Sequence, residues 1–261
     1  MDNKNPIGII DSGVGGLTVV KELQILLPHE DIIYLGDNKN VPYGSKSRDE
    51  IVNLTKNLLN FLIDKDVKLV GIGCNTISTV LKDIVPDYGI KILGIIDPVV
   101  GHLAQGEEKT IGLIATPFTV STKYYEQMLN SLNKNIKVSS EGCPNLAAFI
   151  DKGQFTLEEV SKETYCHLTQ MEKADLKTIV LGCTHYPIIT DYLNKLYPGY
   201  TFINPALFQA MAIRDYLQQE NLLNTSNANG EVEIFTTGEI SRYREFLDLL
   251  SIKNIGSINQ A

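Results

Sequence analysis

The chain has 261 residues, 43% of them hydrophobic and 21% charged, an ordinary balance for a globular protein able to bury a sizeable core. Its formal net charge of −8 argues against nucleic acid as the main partner, because a phosphate backbone would be repelled. No apolar run approaches the roughly 18 residues of a membrane span, and Met1-Asp2-Asn3-Lys4-Asn5 lacks the basic-then-apolar pattern of a secretory signal, so a cytoplasmic protein is expected.

The first predicted strand, Ile7 to Ile10, runs into Asp11-Ser12-Gly13-Val14-Gly15-Gly16-Leu17-Thr18 and a helix over Thr18 to Leu27. The turn nearly matches the dinucleotide fingerprint, with Gly13 and Gly15 in place and Asp37 where a ribose-binding acid would fall. Thr18 takes the third glycine position, however, and the Asp11 charge would face a pyrophosphate. Backbone N–H groups and Ser12 presented to a substrate carboxylate fit these residues better.

A strand at Ile32 to Leu35 leads to Asp37-Asn38-Lys39-Asn40-Val41-Pro42-Tyr43-Gly44, a structured turn whose backbone and Tyr43 hydroxyl could close over a small polar ligand. A helix over Ser47 to Lys65 follows, then the buried-type strand Leu69 to Ile72 and Gly73-Cys74-Asn75-Thr76. Cys74 therefore falls at the carboxyl edge of a strand, where open α/β sheets bind ligands and where a following helix N-terminus favours thiolate. Asn75 and Thr76 are suited to cap that helix and to bind a substrate's charged groups. A strand at Lys91 to Ile95 ends the series, and Pro98 marks a crossing into a second α/β unit.

The second series repeats the outline. Strands at Thr110 to Ile114, Ile136 to Ser139, Thr178 to Leu181 and Thr201 to Ile203 surround a helix over Thr156 to Lys173. The third of these strands ends in Gly182-Cys183-Thr184-His185, so a second thiol sits in the setting of the first. The spacing between the two early strands nearly equals that between the cysteines, as a duplicated unit requires. His185 is the only histidine beside such a thiol and is suited to move a proton or to balance charge. A helix over Pro205 to Gln219 and a strand at Val232 to Thr236 return to the first unit, and Asn224 to Gly230 reads as a mobile loop. The fold expected is α/β, two similar domains with mainly parallel sheets: residues 1–97 plus 206–261 carrying Cys74, and 98–205 carrying Cys183.

Four cysteines without Cys-x-x-Cys spacing and four scattered histidines give no metal site and no disulfide framework. Cys143 and Cys166 read as small buried or half-buried hydrophobes. Two thiols in matched settings suggest a pair acting on opposite faces of one substrate.

Asp-Ser-Gly-Val-Gly-Gly-Leu-Thr-Val, Val-Pro-Tyr-Gly, Gly-Cys-Asn-Thr and Leu-Gly-Cys-Thr-His-Tyr-Pro, in this order and spacing from Ile7 to about Pro205, resemble the glutamate racemases. That resemblance implies two pseudo-two-fold-related domains facing across an active-site cleft, no cofactor, a homodimer, glutamate as the small-molecule partner, and supply of D-glutamate to peptidoglycan. Carried over by motif, Asp11, Ser12, Tyr43, Gly44, Asn75, Thr76, Thr184 and His185 would hold the substrate. Cys74 would be the base toward D-glutamate and Cys183 the base toward L-glutamate, with Asp11 near Cys74 and His185 assisting Cys183. The family's usual glutamate after Cys-Pro is Asp151 here, Ile-Glu-Pro is Ile96-Asp97-Pro98, an expected aspartate is Asn204, and Cys-Thr-Gly-Asp reads Thr236-Thr237-Gly238-Glu239. A racemase or lyase of another small acid such as aspartate, or a binding protein that keeps the cleft without efficient turnover, would use the same residues.

Overall fold

A computed structural model describes residues 2–172 and 176–261. Among the described residues ten strands form in chain order: β1 (Ile7–Asp11), β2 (Ile32–Gly36), β3 (Leu69–Ile72), β4 (Ile92–Gly94), β5 (Thr110–Ala115), β6 (Lys137–Gly142), β7 (Thr178–Gly182), β8 (Thr201–Ile203), β9 (Val232–Thr236) and β10 (Ile255–Gln260). They make two sheets, β10-β9-β2-β1-β3-β4 and β6-β5-β7-β8, with every pairing parallel. The order second-first-third-fourth therefore occurs twice, as β2-β1-β3-β4 and β6-β5-β7-β8. Cys74 follows β3 and Cys183 follows β7, which are equivalent strands. The repeat read from the sequence is a repeat of topology.

The apolar runs explain the layers. β1, β2, β3 and β7 are buried along their whole length, as strands covered on both faces must be. One apolar cluster lies under the helix Arg48–Ile63 and includes Leu58, Leu62, Ile72 and Cys74. A second lies under the helix Leu157–Glu172 and includes Val160, Leu168, Leu181 and Cys183. The third joins both sheets, running from Ile7, Val19 and Tyr34 through Val99 to Ile111, Leu113 and Val180. Burial is continuous between the two units, so the cleft above them stands on a shared floor.

Local signals set the helix boundaries. Ser47 caps Arg48–Ile63 in a reciprocal box with Glu50. Asn204 caps Pro205–Gln219 by accepting from the Ala206 N–H at 3.0 Å. The helix expected over Thr156 to Lys173 runs Leu157–Glu172, and Lys173 lies outside the described residues.

Pro98, where the crossing into the second unit is expected, lies inside the helix Ile96–Leu103, which packs on the helices Pro205–Gln219 and Tyr124–Leu132 and so bridges the two series. Other expectations are corrected. β6 extends past the expected end at Ser139 to Gly142 because β5 supplies a register partner for each residue, although Ser140 and Glu141 carry no strand pattern. The segment Asn224 to Gly230 is tied down rather than free. Asn224 donates from its backbone to Glu30 and from its side chain to the His29 carbonyl, both at 2.8 Å, and Gly230 donates to the Pro28 carbonyl. Cys143 is buried as expected, whereas Cys166 is exposed. No helix among the described residues is long and apolar enough to cross a membrane.

Candidate active site

The carboxyl edges of β1, β3 and β7 and the turns after them enclose a cavity of about 150 Å³, room for a small molecule. Ser12, Tyr43, Gly44, Cys74, Asn75, Thr76, Cys183, Thr184 and His185 all line it. Asp11 does not; it lies fully buried behind the wall. The structure adds Thr116, Ala147, Ala148 and Asp151 to the lining. Among the described residues no group of three or more His, Cys, Asp or Glu side chains gathers as metal ligands.

The glycine-rich turn serves close approach. A Cβ at Gly15 would lie 2.6 Å from both His185 Nδ1 and Thr184 Oγ1, so only glycine lets the β1 turn touch the β7 turn. Asp11 is held in this contact: the Gly13 N–H donates to its Oδ1 at 2.8 Å and the Thr184 hydroxyl to its Oδ2 at 3.0 Å. The Gly13 N–H is thereby committed to Asp11 and is not one of the donors expected to face a ligand. Burial pushes the Asp11 carboxyl above its usual range, against the pull of His185. Asp37 is no ribose acid. Its carboxylate accepts from Tyr43 at 2.7 Å, Thr237 at 2.7 Å and Asn40 at 2.9 Å, which fixes the turn that closes one side of the cavity. The Tyr43 hydroxyl is thus committed to Asp37 rather than pointed at a ligand as expected.

The two thiols differ in their surroundings. Cys74 is buried, with the Ser12 hydroxyl 3.5 Å from its sulfur. Burial, and then the nearby Asp11 charge, push this thiol up to about 12. The lowering expected from a helix N-terminus is outweighed, since the following helix Asn75–Ser78 is a single turn. Cys183 instead faces His185, with Nδ1 3.9 Å from its sulfur. The other face of the imidazole meets Asp151, with Nε2 3.6 Å from Oδ1. Burial alone would lower the histidine, but Asp151, Cys183 and Asp11 together raise it to about 10, so it is an imidazolium at neutral pH.

Polar links cross the joint between the units beside the cavity. The Tyr125 hydroxyl donates to Asn75 Oδ1 at 2.6 Å, and the Nδ2 of the same amide is buried without a hydrogen-bond partner. Thr76, Thr116 and Thr119 form a hydroxyl cluster with separations of 3.0 to 3.3 Å. Tyr125, Thr119 and Asp151 were not predicted as site residues. For Thr116 a signal was present: it follows β5 as Ser12 follows the β1 aspartate, so aligning the two repeats finds it.

Comparison with known proteins agrees with this architecture. The profile of the Asp/Glu/Hydantoin racemase family matches residues 7–212. The glutamate racemase of Thermoanaerobacter pseudethanolicus is 35% identical over 260 residues, covering 99% of this chain and 97% of that protein. The crystal structure of glutamate racemase isoform RacE1 from Bacillus anthracis superposes with a TM-score of 0.91 at 32% identity, covering 99% of this chain and 98% of that one. That of the Francisella tularensis glutamate racemase in complex with D-glutamate gives 0.90 at 34% identity, with 99% and 98% covered.

Proposed function

This chain belongs to the Asp/Glu/Hydantoin racemase family, and from that premise we propose that it interconverts L- and D-glutamate by a two-base mechanism without a cofactor. The observation that carries the reading is the pair of buried thiols, Cys74 and Cys183, at equivalent strand ends lining one small cavity. In the L-to-D direction the Cys183 thiolate removes the α-proton and the Cys74 thiol delivers its own proton to the opposite face. One C–H bond breaks, another forms, and the two sulfurs exchange protonation states. The reverse reaction exchanges their roles.

The surroundings match these tasks. A thiol raised to about 12 stays protonated until a strong carbon base needs its proton, which suits Cys74 as donor. An imidazolium 3.9 Å from the Cys183 sulfur offsets the negative charge of a dicarboxylate substrate on that side of the cavity. Ser12, the Tyr43–Gly44 turn, Asn75, Thr76 and Thr184 hold the amino acid, Asn75 through its unpartnered Nδ2. Asp11 acts from behind, through Thr184 and by its charge on Cys74 and His185. A carbanion-like state needs a dry, fixed site, so closure of the turns over the bound amino acid is part of this reading. The same reading divides the chain into units of 1–97 plus 206–261 and 98–205, working as a homodimer in the cytoplasm and supplying D-glutamate for peptidoglycan.

The test is circular dichroism of purified protein with L-glutamate, and separately L-aspartate, without added cofactor. Decay of the glutamate signal to zero at a rate at least roughly 100-fold above that on aspartate is expected. Faster decay on aspartate, or none on either, overturns the substrate assignment.

A further inference from the structure

Asp151 is an unusual carboxylate. It lines the cavity, yet its Oδ1, the oxygen aimed at His185, is buried without a hydrogen-bond partner. At 3.6 Å the contact with His185 Nε2 is an ion pair too long for a hydrogen bond. A carboxylate so placed is held only loosely by the imidazole, and a second cation can fix its position. That cation comes from the other end of the chain: Arg242 Nη2 is 3.6 Å from Asp151 Oδ2.

Arg242 is itself oriented. It lies on the helix Ile240–Leu250, where Nη1 is 3.3 Å from Glu245 Oε2 and the guanidinium sits 5.9 Å from the Phe246 ring. The Asp151–Gly153 turn rests on the same helix. Gly153 has φ of +80°, and a Cβ there would come 3.4 Å from Glu245 Oε2. The neighbouring Tyr243 reaches the opposite wall of the site, donating to Asn38 Oδ1 and to the Gly13 carbonyl. Two consecutive residues of one helix thus grip both sides of the cleft.

We infer that Arg242 is a positioning residue for the Cys183 half of the site, holding Asp151 against His185 from across the joint between the two units. The inference rests on the racemase reading above. His185 is faced by Cys183 on its own turn, Asp151 from the β6 side and Asp11 from β1. Asp151 is faced by His185, Arg242 and Tyr243, and Arg242 by Asp151 and Glu245. Replacing Arg242 by a neutral residue removes one cation from this set. Asp151 is then no longer held against His185, so the imidazolium loses part of its anion and gives up its proton at lower pH.

The experiment compares wild type, Arg242→Gln and Arg242→Lys for kcat on L-glutamate across the alkaline range. Arg242→Gln is expected to lower kcat roughly two- to fivefold, as loss of a half-exposed ion pair would, and to move the alkaline limb of kcat to lower pH. Arg242→Lys should recover most of the rate and return the limb toward its wild-type position. Unchanged kcat in Arg242→Gln overturns the inference. So does a loss of rate with the limb unmoved, or with no recovery in Arg242→Lys, because either marks a role in packing alone. A wild-type enzyme inactive on glutamate would instead defeat the functional reading, a distinct outcome.

Discussion

Cys74 and Cys183 stand at the same place in two copies of the same sheet order, each after the third strand of its unit, each buried, each lining the same cavity. Their neighbours differ. Cys74 has a hydroxyl, Ser12, within reach and a carboxylate, Asp11, close enough to oppose its ionisation. Cys183 has an imidazolium backed by Asp151 and Arg242. Backbone topology sets the two sulfurs at equivalent strand ends of one cavity, and side chains give each a different electrostatic surrounding. The site is symmetric in geometry and asymmetric in charge.

The largest effect that can break this comparison is removal of either sulfur. Cys74→Ala and Cys183→Ala should each lower racemisation at least roughly 10³-fold. Elimination of HCl from 3-chloroglutamate needs only one base, so Cys74→Ala should keep it on the L-configured substrate and Cys183→Ala on the D-configured one. Either mutant racemising at the wild-type rate would remove that thiol from the mechanism.

His185→Asn comes next and sharpens the asymmetry. Enantiomers have equal free energy, so kcat/KM must fall equally in both directions; the difference has to appear in kcat. A fall of roughly 10²-fold in L-to-D kcat is expected, with a smaller fall in the reverse direction and KM following. Equal falls in kcat would detach His185 from Cys183. The same variant carries a stability signature. The histidine is raised in the folded chain from 6.5 to about 10, so its contribution is complete below pH 6.5 and is lost as pH rises through about 10. The stability gap between wild type and His185→Asn, measured by urea unfolding, should therefore narrow between those limits.

Asp151→Asn should move the alkaline limb of kcat to lower pH, the same sense as Arg242→Gln and further, because it deletes the anion that favours the imidazolium. An unmoved limb would show that the carboxylate does not set the charge on His185. Ser12→Ala is the smallest change: it removes a hydroxyl 3.5 Å from Cys74, and a loss of a few-fold in kcat or KM is expected. A loss matching that of His185→Asn would erase the contrast between the two halves.

Much of this was legible in the sequence because it depends on short range. A buried parallel strand has to be a short apolar run, and a residue just after it has to lie at the sheet's ligand-binding edge, so both cysteines and the residues following them could be located from order alone. The repeat was visible for the same reason. What sequence could not supply were pairings across the joint. Nothing near Asn75 announces that Tyr125 donates to its amide, and nothing near Asp151 announces Arg242, 91 positions onward. The Cys74 ionisation was misjudged because local logic sees the helix start and not the burial and the Asp11 charge that outweigh it. The β6 extension and the tethered Asn224–Gly230 segment likewise come from partners distant in the chain.

The central claim, two thiols on opposite faces, is tested most directly by racemisation of L-glutamate in D2O followed to low conversion. Two bases predict that the D-glutamate formed carries deuterium at the α-carbon while the remaining L-glutamate carries none, since the proton taken by Cys183 is not returned to the same face. Deuterium entering the L-glutamate pool as fast as D-glutamate forms would mean that one group serves both faces, and would contradict the account.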